Sequence, residues 1–594
     1  MFLRSTNRKK DGKDHRYFSI VENRRLPGGK TAQRMVLYLG EINDQQQAAW
    51  RKTLEVFDEA EQRFTTMSLF PDDRELPADA VDSAQVRLSG LELRRPRVFG
   101  SCWLACELWQ QLGLDEFWQQ RLPQGRETVA WEKVLRLLVV NRLLDPGSEF
   151  RVHRQWYVDS AMDELLETSF SVAEKDRLYR CLDRVLEHKQ ELFVFLKQRW
   201  ADLFAADFEV LLYDLTSTYF EGEMEQNPKA KRGYSRDGRP DCLQLVIALV
   251  VTPDGLPLAY EVLPGNTADS KTLRTFLSKI EQQYGKARRV WVMDRGVPTE
   301  AVLAEMRNSD PPVQYLVGTP KGRLNRLEKH LVDKPWQDAR EGVQVKLLAE
   351  DGELYVFAQS VDRVTKERAM RRRQMKWLWK RLRQIAVMEL SREELLMKLG
   401  GARSKAPAAW RLVDVEIDKE RPNFTFALNR KKLKRTRRRE GRYLLRTNLT
   451  DNDPAQLWQY YVQLVTVEEA FRNLKGDLAI RPVFHHDETR IEAHIFIAFM
   501  AYCMQVTLTR RLHALAPGLT ARSALDKFAA VQMIDVHLPT TDGREIKLTR
   551  YTHPEPELQL LIDRLKLRLP PQPPPRITTA DLNQVGRRSE DLLT

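Results

Sequence analysis

FEVLLYDLT, residues 208–216, is the stretch that decides the fold, because it combines the apolar pattern of a buried strand with an aspartate at the strand's end. Further β-rich stretches follow, and Asp254-Gly255 between the next two predicts a tight hairpin. These later strand patterns are residues 243–252, 256–263, 290–293 and 314–317, the last two alternating with helical patterns. Because such continuous apolar strands are covered by helices on both faces, residues 207–320 are predicted to form a mixed α/β core.

The rest of the chain is predicted to form further units, because 594 residues are too many for one hydrophobic core. Residues 98–206 have helical periodicity, which predicts an all-helical region broken at Asp145-Pro146-Gly147. The other predicted units are residues 1–70, a small β unit with a helix; residues 321–450, a basic and largely β insertion with a helical segment; residues 451–535, the second part of the core; and residues 536–594, a C-terminal tail.

Composition indicates a soluble globular protein with a basic surface. The chain is 42% hydrophobic and 30% charged, and its 96 Lys and Arg against 83 Asp and Glu give a net charge of +13. This excess favours nucleic acid as a partner, because phosphate binding releases condensed counterions, although many basic proteins never bind DNA.

Cysteine usage and hydropathy indicate a cytoplasmic protein. The five cysteines have no paired metal spacing, and the basic N-terminal residues lack the apolar segment of a signal peptide. The most apolar late segment, residues 495–504, is about half of the ~20 residues that cross a bilayer. We therefore expect a core helix there and no membrane partner.

Three acidic residues are candidates for one catalytic site. Asp214 and Asp294 each follow apolar strand residues, a position that holds a side chain rigidly beside a cleft. A strand-end aspartate also commonly forms an Asx turn or caps a helix, and for each residue alone that alternative stays open. In the helix predicted over residues 460–478, Tyr461, Glu468 and Lys475 are seven apart and share one face. An amphipathic helix with a solvated Glu and Lys explains the same spacing.

Carboxylates that converge from separate elements form a site for Mg²⁺, which prefers hard oxygen ligands. Two such ions about 3.5–4 Å apart can activate a hydroxyl nucleophile and stabilise the leaving oxygen of a phosphoryl transfer. Asp214, Asp294 and Glu468 are therefore the candidate catalytic residues and metal ligands, for two Mg²⁺ ions with Mn²⁺ as a substitute. Tyr461 and Lys475 beside the glutamate suit binding of a terminal phosphate.

The segments around these residues resemble the DDE transposases of bacterial insertion sequences, and most closely the subgroup with a Tyr-Arg-Glu-Lys signature. The likeness covers residues 205–320 and 440–515 well and the N-terminal 200 residues loosely. The segments that carry it are YDLTSTYFEG (213–222), GYSRDGRPDCLQLVIAL (233–249), LPGNTADSKTL (263–273), VMDRG (292–296), VEEAFRNLKGDLAIRPVFHH (467–486) and the series Tyr461, Glu468, Lys475.

The resemblance implies an RNase H-like core with Asp214 on the first strand, Asp294 after the fourth strand and Glu468 on a late helix that follows a largely β insertion. It implies Mg²⁺-dependent hydrolysis at transposon ends, followed by attack of the freed 3′-OH on target DNA. The implied partners are double-stranded DNA, as terminal inverted repeats and as target, and a second copy of the chain in a synaptic complex. We expect such a protein to associate with the bacterial nucleoid in the cytoplasm.

One position departs from that signature. The family has Arg four residues before the catalytic Glu, where this chain has Leu464. Arg472, one turn after Glu468, and Arg446, before the helix, are candidates for the missing charge. The sequence leaves the phosphate contacts open, and also whether cleavage passes through a DNA hairpin.

Two basic runs lie inside the predicted insertion, and tryptophans are interleaved with the first. Like-charge runs are often merely solvated, but beside candidate catalytic acids they favour contact with the DNA backbone. The candidate DNA contacts are Arg371, Arg372, Arg373 and Lys376 in the first run, Arg437 and Arg438 in the second, and Tyr461, Lys475, Arg472 and Arg295 near the acids. Recognition of the transposon ends is expected in the N-terminal β unit or the helical region. His485, His486 and His494 lack paired ligand spacing and are predicted to be structural.

Three other functions compete with transposition. A nuclease of the same fold would cut DNA without joining ends. A non-catalytic DNA-binding protein derived from a transposase predicts the loss of at least one acid, whereas Asp214, Asp294 and Glu468 are all present. An RNA-binding protein recruited by charge alone gives no reason for three carboxylates in this arrangement. The sequence therefore favours a transposase.

Overall fold

The fold is that of a computed structural model, which describes residues 84–579 with short gaps and the backbone of strands within residues 2–67. The gaps are residues 124, 126–128, 223, 225–226, 285–288, 295–296, 320–334, 351, 419–420, 450–452, 517 and 542–543. The chain divides into two compact units. The first comprises residues 1–107, 148–174 and 509–594, and the second comprises residues 108–147 and 175–508.

The described strands are labelled in chain order. They are β1 Phe2–Lys10, β2 Lys13–Arg25, β3 Thr31–Glu41, β4 Leu54–Asp58, β5 Arg63–Met67, β6 Ala84–Gln85, β7 Glu92–Val98, β8 Val210–Tyr219, β9 Gln244–Val251, β10 Pro257–Pro264, β11 Val290–Met293, β12 Gln314–Gly318, β13 Gln337–Arg340, β14 Val343–Glu350, β15 Glu353–Ser360, β16 Val413–Ile417, β17 Phe424–Leu428, β18 Arg442–Thr447, β19 Gln532–Pro539, β20 Arg544–Tyr551 and β21 Arg576–Thr579.

The longer described helices are labelled in the same way. They are α1 Gly100–Gln111, α2 Leu114–Arg121, α3 Trp131–Leu144, α4 Lys175–Val185, α5 Lys189–Phe204, α6 Asp269–Tyr284, α7 Glu300–Asn308, α8 Val361–Ala386, α9 Arg392–Lys405, α10 Arg430–Arg439, α11 Pro454–Val462, α12 Leu464–Lys475, α13 Glu488–Leu515, α14 Ala521–Phe528 and α15 Pro556–Arg564. Short helical turns are Leu88–Gly90, Glu149–Arg151, Val152–Trp156, Tyr157–Asp159, Met162–Leu165, Phe170–Ala173, Leu186–His188 and Pro407–Trp410.

The first unit is built mainly from small sheets. Its described strands form the orders β1-β2-β3, β5-β4-β6 and β21-β20-β19-β7. In the last of these sheets, Arg97 on β7 binds Asp535 on β19 at 2.7 Å, and both side chains are fully buried. A charge pair without exposure to water needs such close hydrogen bonding, so this pair fixes how β7 and β19 meet.

Two predictions for this unit are wrong. The helix predicted before residue 70 is replaced, where the chain is described, by β4 and β5, and the alternating apolar residues of LEVFD favour a strand over a helix. The tail predicted from residue 536 includes β20, α15 and β21, because Ile546 and Leu548 project from one face of β20 and pack with Leu538.

The helices predicted over residues 98–206 are confirmed, but these residues do not form one unit, since residues 98–107 and 148–174 belong to the first unit and the rest to the second. The described segments are α1 to α5 and short helical turns, and α3 ends at Leu144, directly before the predicted break. The core helix predicted at residues 495–504 is also confirmed within α13. This helix is long and apolar enough to cross a membrane, but 94% of its most apolar window is buried inside the protein.

The second unit is organised by one large mixed sheet. Its described strands have the order β10-β9-β8-β11-β12-β18-β15-β14-β13, in which β11 is parallel to β8 and to β12 and the other pairs are antiparallel. The first five strands of this sheet in chain order, β8 to β12, therefore have the spatial order 3-2-1-4-5, which is the arrangement of an RNase H-like core. The strands predicted for this core and the hairpin at Asp254-Gly255 are confirmed, since Gly255 closes the turn with a φ of +84°.

Helices cover both faces of this sheet. Tyr213 and Asp214 on β8 project to opposite faces, because side chains alternate along a strand. The Tyr213 hydroxyl donates a hydrogen bond to Oγ1 of Thr272 at 2.8 Å, so α6 covers the face of Tyr213. Helix α12 packs against β8 and β9, and its Phe471 lies beside Asp214 in one pocket, so α12 covers the other face.

The predicted insertion differs from its expected form. Strands β13, β14, β15 and β18 extend the core sheet and do not form a separate β domain. The intervening residues 361–440 are mainly helical, since α8, α9 and α10 contain more residues than the hairpin β16-β17. Leu378, Leu382 and Leu399 belong to a hydrophobic core of this segment's own, because α8 and α9 place apolar residues at helical spacing.

Candidate active site

The register of two parallel strands brings Asp214 next to Asp294. Tyr213 on β8 pairs with Met293 on β11, and the two aspartates are the next residues of their chains. Neighbouring strands are about 4.8 Å apart, and residues in register project to the same face. The two carboxyl groups therefore face one cleft at the point where β11 ends. Asp214 is not at the end of its own strand, as the sequence predicted, because β8 continues to Tyr219.

Glu468 reaches the same cleft from α12. Asp214, Asp294 and Glu468 line one pocket of about 310 Å³. Its other lining residues are Leu215, Thr216, Arg236, Val297 and Phe471. Glu468 and Phe471 are three apart on the helix and so lie on one face, where the buried Phe471 ring holds the helix against the sheet. Three carboxyl groups from separate elements thus converge in one open pocket.

The electrostatics of the pocket favour a cation. Burial raises the pKa of Asp214 to about 7, and the neighbouring Asp294 and Glu468 carboxylates contribute to the rise. The Leu215 backbone N–H and the Arg236 guanidinium oppose it without cancelling it. A bound divalent cation would offset this repulsion, because it interacts favourably with all three ionised groups at once.

The donor set of the pocket suits a hard cation. Among the described lining residues, the side chains of metal-ligand type are Asp214, Asp294 and Glu468, and they offer only oxygen. Oxygen donors are typical of sites for Mg²⁺ and Mn²⁺, whereas zinc sites commonly contain thiolate or imidazole. The residues therefore fit a divalent metal of the magnesium class.

Comparisons with known proteins decide the family. A family model for the transposase DDE domain matches residues 206–504, just over half of the chain, and this range contains all three acids. The chain belongs to the DDE transposases. A second model, for the N-terminal domain of IS1634 family transposases, matches residues 3–65. The protein is thus an insertion-sequence transposase, an enzyme of DNA phosphoryl transfer.

Solved transposase structures show only a distant likeness to this transposase. A piggyBac transposase synaptic complex with hairpin DNA is 9% identical, covers 72% of this chain and 79% of its own, and has a TM-score of 0.35. A Mos1 transposase paired-end complex is 13% identical, covers 34% and 64%, and has a TM-score of 0.13. Scores this low carry no argument about details. No curated protein matches the sequence.

The predicted helix that was to carry Tyr461, Glu468 and Lys475 is two helices in the transposase. Helix α11 ends at Val462 and α12 begins at Leu464, in a stretch rich in β-branched residues, which have low helix propensity. Tyr461 therefore lies on α11, where its ring is 6.0 Å from that of Tyr443. Glu468 and Lys475 share α12, but Lys475 does not line the carboxylate pocket.

The two candidates for the charge missing at Leu464 differ in their contacts. Arg446 is buried and binds Glu353 at 2.6 Å and Glu300 at 2.8 Å, so it is committed to a structural ion network. Arg472 is exposed and pairs with the adjacent Glu469 at 3.1 Å. Among the described residues, Arg236 is the arginine that lines the carboxylate pocket, and it was not among the residues predicted from the sequence.

Arg236 was missed because nothing in its loop has a periodic pattern. It lies between β8 and β9, in the motif GYSRDGRP that the family resemblance had already marked. Its backbone N–H donates a hydrogen bond to Oγ of Ser217 at 3.1 Å, which attaches the loop to β8 three residues beyond Asp214. The signal that could have found Arg236 was therefore this motif, although its sequence distance from Glu468 gave no indication of contact.

The candidate DNA contacts of the insertion lie on α8 and α10. Arg372, Arg373 and Lys376 are exposed, whereas Arg371 is largely buried and binds Glu440 at 2.6 Å. Arg437 is exposed on α10. The side chain of Arg438, and the whole of Arg295, lie outside the described residues.

Two of the three histidines after α12 lie close together. The rings of His485 and His494 are 5.5 Å apart, and Nη2 of Arg142 lies 3.3 Å from Nδ1 of the buried His494. His486 is exposed. The structural role of these histidines stays a prediction.

Proposed function

We propose that this transposase cuts DNA at the ends of its insertion sequence and joins them to target DNA, with Asp214, Asp294 and Glu468 as ligands of two Mg²⁺ ions. The observation that supports this most is the convergence of the three carboxyl groups in one pocket, through strand register and the docking of α12. The resemblance to the Tyr-Arg-Glu-Lys subgroup supports the same residues.

The proposed reaction has two phosphoryl transfers. Water attacks a phosphodiester at the transposon end, and the bond to the 3′ oxygen breaks and leaves a 3′-OH. That hydroxyl then attacks a phosphodiester of the target and displaces the target's 3′ oxygen. The metal pair supplies activation of the nucleophile and stabilisation of the leaving oxygen. Arg236 lies where it can neutralise charge on the reacting phosphate.

The proposed partners are terminal inverted repeats, target DNA and a second copy of the chain in a synaptic complex on the nucleoid. The exposed cations Arg372, Arg373, Lys376 and Arg437 support contact with the DNA backbone, since α8 and α10 present them to solvent. Addition of end DNA to the purified chain should double the protein stoichiometry per complex, as mass photometry would report.

Isosteric variants test the catalytic assignment. Asp214→Asn, Asp294→Asn and Glu468→Gln should each lower cleavage of end DNA on the order of a thousandfold or more, with DNA binding retained. Glu469→Gln is the matched control, because Glu469 is the next residue, is exposed and pairs with Arg472. EDTA should abolish cleavage, and Mg²⁺ or Mn²⁺ should restore it. Cleavage by the Glu468→Gln variant at the wild-type rate would remove Glu468 from the site.

The products separate the alternatives. Cleavage without joined target DNA would indicate a nuclease of the same fold. Binding of end DNA without cleavage in either metal would indicate a non-catalytic DNA-binding protein. Strand-transfer products that depend on all three acids support the transposase.

A further inference from the structure

A buried carboxylate near the pocket binds two cations. Asp237 follows Arg236 in the chain, and only 3% of its side chain is exposed. Its Oδ1 atom accepts hydrogen bonds from Nζ of Lys475, at 2.7 Å, and from Nη1 of Arg481. Its Oδ2 atom is buried without a hydrogen-bond partner among the described residues. The carboxylate is thus enclosed by protein and held beside both cations.

Two segments bring these groups together on the same part of β8. The loop of Asp237 is attached through Arg236 to Ser217. The segment of Arg481 is attached through the Thr218 hydroxyl, which donates to the carbonyl of Ile480 at 3.4 Å. Lys475 is seven residues beyond Glu468 on α12, or about 10 Å along the helix, and Arg236, next to Asp237, lines the carboxylate pocket. The cluster therefore lies at a fixed short distance from the catalytic carboxyl groups.

The cluster carries an excess of positive charge. Burial lowers the pKa of Lys475, and the nearby charges of Arg481 and Arg236 lower it further, whereas Asp237 opposes the change. One carboxylate binds two cations, Lys475 and Arg481, so this group attracts a further anion. Lys475 has three N–H donors and Arg481 has five, and the bonds to Asp237 use one of each. Because the bonds to Asp237 fix both side chains, the directions of their other N–H groups are also fixed.

We propose that Asp237 is a positioning residue for DNA, which holds Lys475 and Arg481 ready to bind a backbone phosphate near the cleaved bond. The proposal rests on the proposed function, because it names the contact that aligns the substrate. About 10 Å corresponds to roughly three base pairs at 3.4 Å each, so one duplex can occupy the pocket and the cluster together. Preordered side chains lose less conformational entropy on binding, which raises affinity.

The direction in which one substitution changes the affinity for DNA distinguishes two roles of Asp237, positioning of the cations and competition with phosphate. Asp237→Asn removes a negative charge and keeps the shape of the side chain. If Asp237 positions the cations, affinity for DNA falls about tenfold even though the protein becomes more positive. If Asp237 merely competes with phosphate, affinity rises. Asp183→Asn is the matched control, because Asp183 forms a two-bond pair with Arg490 in the same unit.

The measurement is fluorescence anisotropy of a labelled duplex that carries one end of the element encoding the chain, in EDTA across a range of KCl concentrations. Arg481→Gln should lower the slope of log affinity against log salt by about one, as expected for one lost phosphate contact. The double variant Asp237→Asn, Lys475→Ala should lose affinity by a smaller factor than the product of the factors lost in the two single variants, because Asp237 acts through Lys475. Multiplicative losses overturn the proposal, and so does an unchanged salt slope in Arg481→Gln.

The outcomes separate this proposal from the proposed function. Wild-type protein that neither binds nor cleaves end DNA overturns the function. Wild-type protein that does both, with Asp237→Asn binding DNA as tightly as Asp183→Asn or more tightly, overturns only the role of Asp237. Arg481 is partly exposed, so Arg481→Gln tests the site even where Asp237→Asn does not fold.

Discussion

Asp214, the proposed metal ligand, lowers the stability of the metal-free protein. Its carboxyl group is half-buried beside two other acids, and its pKa is raised to about 7 from a usual value of 3.8. The folded protein therefore disfavours the ionised form that a metal ligand must adopt. The same repulsion that weakens the metal-free fold increases the gain from binding a divalent cation.

Asp214→Asn should stabilise the metal-free protein. Below about pH 4 the carboxyl group is protonated in both the folded and the unfolded chain, so the wild type has no charge penalty. As the pH rises from about 4 to 7 the unfolded chain ionises first, and the wild type loses stability that the neutral amide keeps. The melting temperature in EDTA should exceed that of the wild type by on the order of a few degrees at pH 8 and by less at pH 5. Glu469→Gln, at an exposed position, should show no such gain.

At the residue scale, the sequence revealed the acids and not their neighbours. Asp214 and Asp294 each follow a run of apolar strand residues, and such a run is recognisable in the sequence. Arg236 and Asp237 lie in an irregular loop, where position depends on contacts with β8 and α12 that no local pattern encodes. Leu464, at the position where the Tyr-Arg-Glu-Lys signature has arginine, is buried in the structure, so a cation there would require a partner.

Helix α8 separates cations that hold the fold from cations on the surface. Arg371 and Arg368 bind the buried Glu440, which follows α10, and these bonds tie the two basic helices together. Arg372 and Arg373 lie on the exposed side. Helical geometry thus divides one basic run into two roles.

Substitutions on α8 should separate those roles. Arg372→Gln, Arg373→Gln and Lys376→Gln combined should lower the slope of log DNA affinity against log salt by about one to three, because each phosphate contact contributes close to one. Arg371→Gln should instead lower the melting temperature, since it leaves part of the charge of Glu440 buried without its closest partner. Anisotropy titrations and thermal melts would measure both. An unchanged slope in the triple variant would assign these cations to solvent.

Elements with a strong local pattern were predictable, and elements defined by distant pairing were not. The strands β8 to β12 contain runs of apolar residues, and their bounds agree closely with the sequence patterns. The strands β19 and β20 carry buried charge and mixed residues, and β19 pairs with β7 more than 400 residues away. Likewise, the helical spacing of apolar residues continues without interruption past Val462, so the sequence contains no sign of the break between α11 and α12.

At the scale of the molecule, residues 361–440 are an insertion into a hairpin. β15 and β18 are antiparallel neighbours, and the Ser360 N–H donates to the carbonyl of Gly441 at 3.0 Å. The chain thus leaves and re-enters the sheet at one point. Because the inserted segment has its own hydrophobic core, the sheet does not depend on it for burial.

Replacement of residues 361–440 by Asn-Gly should therefore give a folded transposase core. That dipeptide forms a tight turn between antiparallel strands. The variant should retain metal-dependent stabilisation by Mg²⁺, because the carboxylate pocket lies outside the segment, and should bind DNA with a smaller salt slope because α8 and α10 are absent. Calorimetry with and without Mg²⁺ would check the first result. Loss of cooperative unfolding would show that the segment is part of the core.

The place of β18 in the sheet has a consequence for synthesis. This strand lies between β12 and β15, although it is made after both, so the two earlier strands lack their shared neighbour until residue 447 has left the ribosome. Glu468 follows only shortly afterwards. A nascent chain therefore carries only two of the three acids from residue 294 until residue 468 is made, and it gains the third at about the time its sheet can close, so the proposed cutting of DNA waits until most of the enzyme has been made.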